Sequence, residues 1–203
     1  ERAVRYFDKK NESQLPLAYG TRTQIVDEMV KRYGFSPKFV HPSSFQNALV
    51  QNISGGNTQV FNFLAKQLLE QAGLQKVVSH DWWLYQLVTG AGGTFHYDPV
   101  PSLLYRQHPN SLVGSNSSFK SKMKRLRLVL SGSFKQWNDI NYVALTSIRH
   151  LLSTKNKKTL DLFGRFRSGR LKDRVRLLSV CGIYRQTWQG TLMLWLATIV
   201  NKV

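Results

Sequence analysis

The chain has 203 residues, 42% of them hydrophobic, and a formal net charge of +18, which is enough for one domain with an appendage. Its single cysteine, Cys181, excludes an internal disulfide and a multi-cysteine zinc site, and is typical of a reducing compartment such as the cytoplasm. No apolar run reaches the ~20 residues that a membrane-spanning helix needs.

The positive charge is concentrated at the end of the chain. Residues 1–118 contain 11 Lys and Arg against 8 Asp and Glu, whereas residues 119–203 contain 18 against 3. We therefore interpret residues 1–118 as an ordinary domain and residues 119–203 as a basic helical tail. Such a tail binds polyanions, and both nucleic acid and an anionic membrane surface remain open. An apolar stripe at helical spacing favours the membrane surface; it comprises Tyr184, Trp188, Thr191, Leu192, Trp195, Leu196 and Ile199.

The order of the predicted elements is that of an α/β domain. A helix over residues 1–10 precedes a strand over 17–26, a loop over 31–42 and a short helix over 44–51. A strand over 56–61, a helix over 63–72 and a helix over 79–91 follow. Two short extended segments, 94–97 and 101–106, lead to the basic tail, in which residues 155–158 are predicted to form a solvated turn.

The helix over 79–91 is the element around which the chain is organised. Ser79 is a candidate N-cap, and Asp81 lies in the first turn, where free backbone N–H groups favour a carboxylate. Asp81 has two interpretations, helix-start chemistry alone or a catalytic carboxylate at the rim of a cleft. In the second, Trp82 and Trp83 supply an apolar wall on which a sugar ring stacks.

A glycine pair, Gly55 and Gly56, precedes Asn57 and Thr58. Two glycines in sequence allow the backbone to approach a ligand closely or to adopt unusual dihedral angles. A simple β-bulge explains the pair equally well.

Three segments taken together resemble glycosyltransferase family 2, and most closely the rhamnosyltransferase-like enzymes that build bacterial cell-surface polysaccharides. The segments are Gly55–Thr58, His80–Trp83 and the run Tyr105-Arg106-Gln107-His108-Pro109-Asn110. The resemblance implies a partial GT-A domain, which is Rossmann-like with a mixed sheet. It also implies inverting transfer of a sugar from a nucleotide sugar to a hydroxyl of a glycan or lipid-linked acceptor.

The same resemblance assigns roles to individual residues. Asp81 becomes the general base, and Arg106 is placed beside the diphosphate leaving group. His108 becomes a ligand of Mn²⁺ or Mg²⁺ or a contact of the donor diphosphate. The remaining residues are expected to contact substrate; they are Gly55, Gly56, Asn57, Thr58, His80, Trp82 and Trp83.

One part of the family pattern is missing. The nucleotide-binding half and its Asp-x-Asp metal motif, which precede these segments in the family, have no counterpart in the chain. We therefore expect residues 1–203 to be the acceptor half of the enzyme and inactive alone. The expected location is cytoplasmic, at the inner face of the plasma membrane. The alternatives are a non-catalytic basic protein that binds anionic membrane or nucleic acid, and a structural domain whose His-Asp pair is turn chemistry.

Overall fold

The computed structural model describes residues 1–10, 14–106 and 131–203. The first of these parts is helix α1 (Arg2–Lys9). The second contains β1 (Leu17–Val26), β2 (Arg32–Phe35), α2 (Phe45–Ala48), β3 (Val60–Phe61), α3 (Phe63–Ala72), α4 (His80–Gly90) and β4 (Thr94–Arg106). The third contains α5 (Ser133–Ser147), α6 (Thr154–Ser168), α7 (Leu171–Cys181) and α8 (Trp188–Ile199). Short 3-10 helices occupy Gly56–Thr58 and Arg149–Leu151.

The described residues form an α/β fold with a four-stranded mixed sheet, and β1 is its central strand. β4 pairs with β1 in parallel along almost its full length, from Leu17 opposite Thr94 to Val26 opposite Arg106. β2 and β3 both pair antiparallel with β1, β2 at its carboxyl end and β3 at its amino end. The α/β class predicted from the sequence is confirmed, and so are β1, the 63–72 helix and the helix containing Asp81.

Three local predictions were wrong. The predicted loop over 31–42 contains strand β2, whose mostly exposed side chains lack the apolar alternation of a half-buried strand. The predicted strand over 56–61 begins as a 3-10 turn and becomes extended only at Val60. The two extended segments after Gly93 form one strand, β4; Pro99 and Pro101 lie where the β1–β4 register shifts between Thr21 and Thr23.

The expected solvated turn over 155–158 is also wrong, because these residues form the first turns of α6. The Ser153 hydroxyl caps this helix by accepting a hydrogen bond from the Asn156 backbone N–H at 3.3 Å. The lysines are tolerated on the helix because their side chains point largely outward.

The C-terminal helices share a hydrophobic core with α2 and α4. This cluster includes Phe45, Leu49, Trp83 and Leu87 from the first part of the chain, together with residues from α5 to α8. The latter include Leu145, Leu160, Phe163, Phe166, Leu178 and Leu194, each at most 2% exposed. The helices from residue 133 onward are thus packed on the sheet-containing part. The predicted boundary at residue 118 lies outside the described residues and stays a prediction.

Candidate functional site

The candidate site is built at the amino end of α4. Every residue from Trp82 to Gly90 is buried, whereas His80 is exposed and Asp81 is half-buried. Ser79 occupies the N-cap position, but its side chain makes no capping hydrogen bond. Instead, Asp81 Oδ1 accepts the Trp82 backbone N–H at 2.8 Å. The buried helix therefore holds a carboxylate at the surface in a fixed position.

Within the described parts of the chain, one oxygen of the Asp81 carboxylate remains available. Oδ1 is engaged by the Trp82 amide, but among the described residues no hydrogen bond reaches Oδ2 and no Lys or Arg pairs with the carboxylate. A carboxylate oxygen of this kind can accept a proton from a hydroxyl that is placed against it.

The glycine turn packs directly against His80. A Cβ atom on Gly56 would lie 2.2 Å from His80 Nε2, so the absence of a side chain lets the imidazole approach the backbone. Neither Gly55 nor Gly56 has a positive φ, and the turn is a 3-10 helix rather than a β-bulge. Thr58 closes the turn, since its hydroxyl donates to the Gly55 carbonyl at 2.9 Å. The structure thus brings the Gly55–Thr58 turn and the His80–Asp81 pair together.

Gln59 joins the turn to the helix, a role that no pattern in the sequence indicated. Its Nε2 donates to the Asp81 carbonyl at 3.1 Å and to the carbonyl and hydroxyl of Ser54 at 3.3 and 3.2 Å. Ser54 in turn lies against Gly20 of β1, where a Cβ would come within 2.2 Å of the Ser54 hydroxyl. The start of α4 is therefore fixed relative to the central strand.

The two tryptophans are largely covered. Trp82 and Trp83 are each 6% exposed, the Trp82 indole N–H donates to the Ala48 carbonyl at 2.6 Å, and Trp83 belongs to the hydrophobic core. Little of either ring remains to contact a substrate. Their observed role is to pack α4 against α2.

Tyr85, one turn after Asp81, ties α4 to the amino end of α2. Its hydroxyl accepts the Ser44 backbone N–H at 3.0 Å and donates to Asn47 Oδ1 at 3.0 Å. Burial raises the pKa of Tyr85, which keeps the hydroxyl protonated and able to donate at neutral pH.

Arg106 and His108 are not brought to Asp81 by the described residues. Arg106 is the last residue of β4 and pairs with Val26, six residues beyond Gly20 on β1. Six extended residues span about 20 Å, so Arg106 lies well along the sheet from the level of Ser54. His108 lies outside the described residues.

A second polar cluster links α1 to the sheet. The Tyr19 hydroxyl donates to Asp98 Oδ2, the Arg2 guanidinium pairs with the same oxygen at 2.7 Å, and the Val100 N–H donates to Oδ1 at 2.8 Å. Burial alone would raise the pKa of Asp98, but these three donors bring that pKa below its usual value. His96 stacks on Tyr6 and contacts the tilted ring of Tyr19, and burial lowers its pKa. This cluster anchors α1.

Within residues 1–10, 14–106 and 131–203, no group of three or more His, Cys, Asp or Glu side chains is placed to hold a metal ion. The same residues contain no helix that is both long and apolar enough to cross a membrane.

Comparison with known proteins gives one informative similarity. Over 55 residues, the chain is 47% identical to the dTDP-rhamnosyl transferase RfbG of Shigella flexneri. The match covers 27% of this chain and 19% of that protein, so it spans only a small part of the relative. No family model matches the chain, and no solved structure matches it.

Proposed function

We propose that the chain carries the acceptor side of a glycosyltransferase, and that Asp81 is its general base. The observation that carries this proposal is the half-buried carboxylate of Asp81. It lies at the start of a helix that is buried from Trp82 to Gly90, beside the His80–Gly56 contact, and its Oδ2 is uncommitted among the described residues. The similarity to a rhamnosyl transferase supports the class of reaction. A nucleotide sugar such as dTDP-rhamnose is the proposed donor, and a glycan hydroxyl is the proposed acceptor.

In this mechanism the acceptor hydroxyl attacks the anomeric carbon of the donor sugar. The new bond between the acceptor oxygen and the anomeric carbon forms while the bond to the nucleoside diphosphate breaks, which inverts the configuration. The hydroxyl proton passes to Asp81 Oδ2 as the O–H bond becomes acidic in the transition state. Gln59 and the Trp82 amide act as positioning groups, because they hold the Asp81 backbone and Oδ1.

The proposed contacts with the donor diphosphate involve groups that the structure does not place beside Asp81. Arg106, His108 and a divalent cation, Mn²⁺ or Mg²⁺, are proposed to neutralise the diphosphate. The described residues contain no cluster fit to hold that cation. The steps assigned above to Asp81 use only the side chains and backbone groups of this chain.

The decisive test is Asp81→Asn in the whole protein that contains this chain, assayed with dTDP-rhamnose. The amide is nearly isosteric but cannot accept the proton, so kcat should fall by about 10²–10⁴-fold with nucleotide-sugar binding retained. Asp173→Asn is the matched control, because Asp173 is likewise a first-turn carboxylate but is exposed on α7, away from α4, and it should leave turnover unchanged. Full turnover by Asp81→Asn would remove Asp81 from the mechanism.

We also propose that α8 rests on an anionic membrane surface during this reaction. Its outer face, formed by Leu192, Leu196, Ile199 and Val200, leaves each of these side chains 47–53% exposed. One basic group borders this face, since Arg174 of α7 donates to the Ile199 carbonyl at 3.3 Å. An apolar stripe with a basic neighbour suits lipid headgroups that carry negative charge.

Vesicle co-sedimentation tests the membrane proposal. The chain should bind vesicles containing phosphatidylglycerol and not vesicles of phosphatidylcholine alone. The pair Leu192→Ser and Leu196→Ser should weaken binding by about tenfold or more, whereas Val143→Ser, at an exposed apolar site on α5, should not. Equal binding by both variants would contradict a role for the α8 face.

A further inference from the structure

An open, cup-shaped groove of about 570 Å³ lies between the segment before α2 and the start of α8. His41, Pro42, Tyr184 and Trp188 give it a wall of four rings, which Arg185 and Thr191 complete. Its volume falls within the roughly 300–1,000 Å³ of small-molecule sites. None of these residues belongs to the Asp81 site.

The walls of the groove are held rigidly. Gln186, 2% exposed, clamps the backbone of His41: its Oε1 accepts the His41 N–H and its Nε2 donates to the His41 carbonyl, both at 3.1 Å. The Tyr184 hydroxyl donates to the Pro42 carbonyl and lies 2.9 Å from the Ser44 hydroxyl. Asn47 Nδ2 donates to the Tyr184 carbonyl at 2.9 Å. Two segments about 140 residues apart in sequence are thus joined into one preformed cup.

Trp188 stands at the mouth of this cup and contributes little to the core. It is 72% exposed, and among the described residues no ring stacks on its indole. The imidazole of His41 is likewise without a hydrogen bond in the described part of the chain, although its ring meets Tyr184 edge-on at 6.1 Å. The cup therefore combines a free aromatic face with a polar ring beside it.

We propose that this cup binds a neutral pyranose ring of the acceptor glycan, a subsite that rests on the function proposed above. The apolar C–H face of a pyranose packs on the indole of Trp188, and its hydroxyls pair with the imidazole of His41. The subsite is coupled to the base through Tyr85, which lies one turn after Asp81 and bonds to Ser44 and Asn47, the two residues that hold Tyr184. A glycan held there is fixed relative to α4.

The binding test uses the Trp188 indole N–H signal in NMR spectra of the whole chain. The probes are the methyl glycosides of L-rhamnose, D-glucose, D-galactose and N-acetyl-D-glucosamine, with thymidine as the nucleoside control. At least one glycoside should shift the signal saturably. Trp188→Ala should weaken binding of that glycoside, followed on the ligand signals, by about tenfold or more, and Trp188→Phe should restore most of it.

Two further variants separate the subsite from the catalytic proposal. Both Leu196→Ala and Asp81→Asn should bind the glycoside as the unaltered chain does. Leu196 is an exposed apolar residue two turns along the same helix as Trp188. In the whole protein, Trp188→Ala should raise KM for the acceptor with kcat retained. The subsite is overturned if no glycoside binds, if only thymidine shifts the signal, or if Trp188→Ala binds normally. Full turnover by Asp81→Asn would instead overturn the assignment of Asp81 as the general base, and the evidence for glycoside binding would be unaffected.

Discussion

The sheet-containing part of the chain and the C-terminal helices place their polar groups differently. In residues 14–106, polar side chains that are buried or half-buried reach partners distant in sequence, as Tyr19 does with the Asp98 carboxylate and Gln59 with the Asp81 carbonyl. In residues 131–203, the ion pairs Arg149–Asp161 and Arg167–Asp139 involve exposed carboxylates, and α8 leaves an apolar face uncovered. The first part uses polar contacts within itself to fix the position of a site. The second part directs its buried polar side chains, such as Gln186 and Asn156, back onto the first part and leaves its ion pairs and an apolar face at the surface.

This contrast does not make the two parts independent folding units. Leu145 of α5 is fully buried in the cluster that also contains Trp83 and Leu87 of α4. A common core should couple the stability of the basic helices to that of the candidate site.

The largest expected effect tests this coupling. Leu145→Ala should lower the free energy of unfolding by about 2–5 kcal/mol, because it removes a fully buried side chain and leaves a cavity. The measurement is chemical denaturation followed by far-ultraviolet circular dichroism, which reports all helices, and by tryptophan fluorescence. The fluorescence is measured in a background with Trp137, Trp188 and Trp195 replaced by Phe, so that only Trp82 and Trp83 of α4 emit.

Both probes should shift to the same lower denaturant midpoint. The matched control is Val143→Ala, a 67% exposed position on the same helix, which should change stability by less than about 0.5 kcal/mol. A circular dichroism transition that moves while the fluorescence transition stays in place would show that the helices unfold separately.

The sequence predicted those features that depend on nearby residues. The apolar spacing from Trp83 to Val88 was enough to place α4, and the first-turn position of Asp81 follows from it. The short strand β2 was missed because pairing with β1, and no pattern of its own, makes Arg32–Phe35 extended. Tertiary pairing overrides local propensity in such short strands.

The site contacts that could not be predicted join distant residues. Gln59 reaches Asp81 across 22 positions, and Gln186 reaches His41 across 145. A glutamine forms no sequence motif by itself, so its hydrogen-bond partners become evident only in the folded structure. Trp82 and Trp83 show the opposite error. Their position next to a candidate base indicated an apolar wall for a sugar ring, but the fold buries both side chains.

A smaller effect is expected where α1 meets the sheet. Asp98→Ala should cost about 1–3 kcal/mol at pH 7, because it leaves the buried Tyr19 hydroxyl and the Val100 amide without their acceptor. The folded-state pKa of Asp98 lies below its usual value. The ionised carboxylate therefore stabilises the fold above the unfolded-state pKa of about 4, and this contribution is lost as the pH falls through the folded-state pKa.

The difference in unfolding free energy between the unaltered chain and Asp98→Ala should therefore shrink between pH 7 and pH 3. Glu70→Ala serves as the control, because Glu70 pairs with Lys66 on the surface of α3 with both side chains more than half exposed, and it should cost less than about 0.5 kcal/mol. An Asp98→Ala cost that is the same at both pH values would mean that packing, and not the ionised carboxylate, holds α1 on the sheet. The polar contacts of the sheet-containing part would then contribute no more to stability than the surface ion pairs of the C-terminal helices.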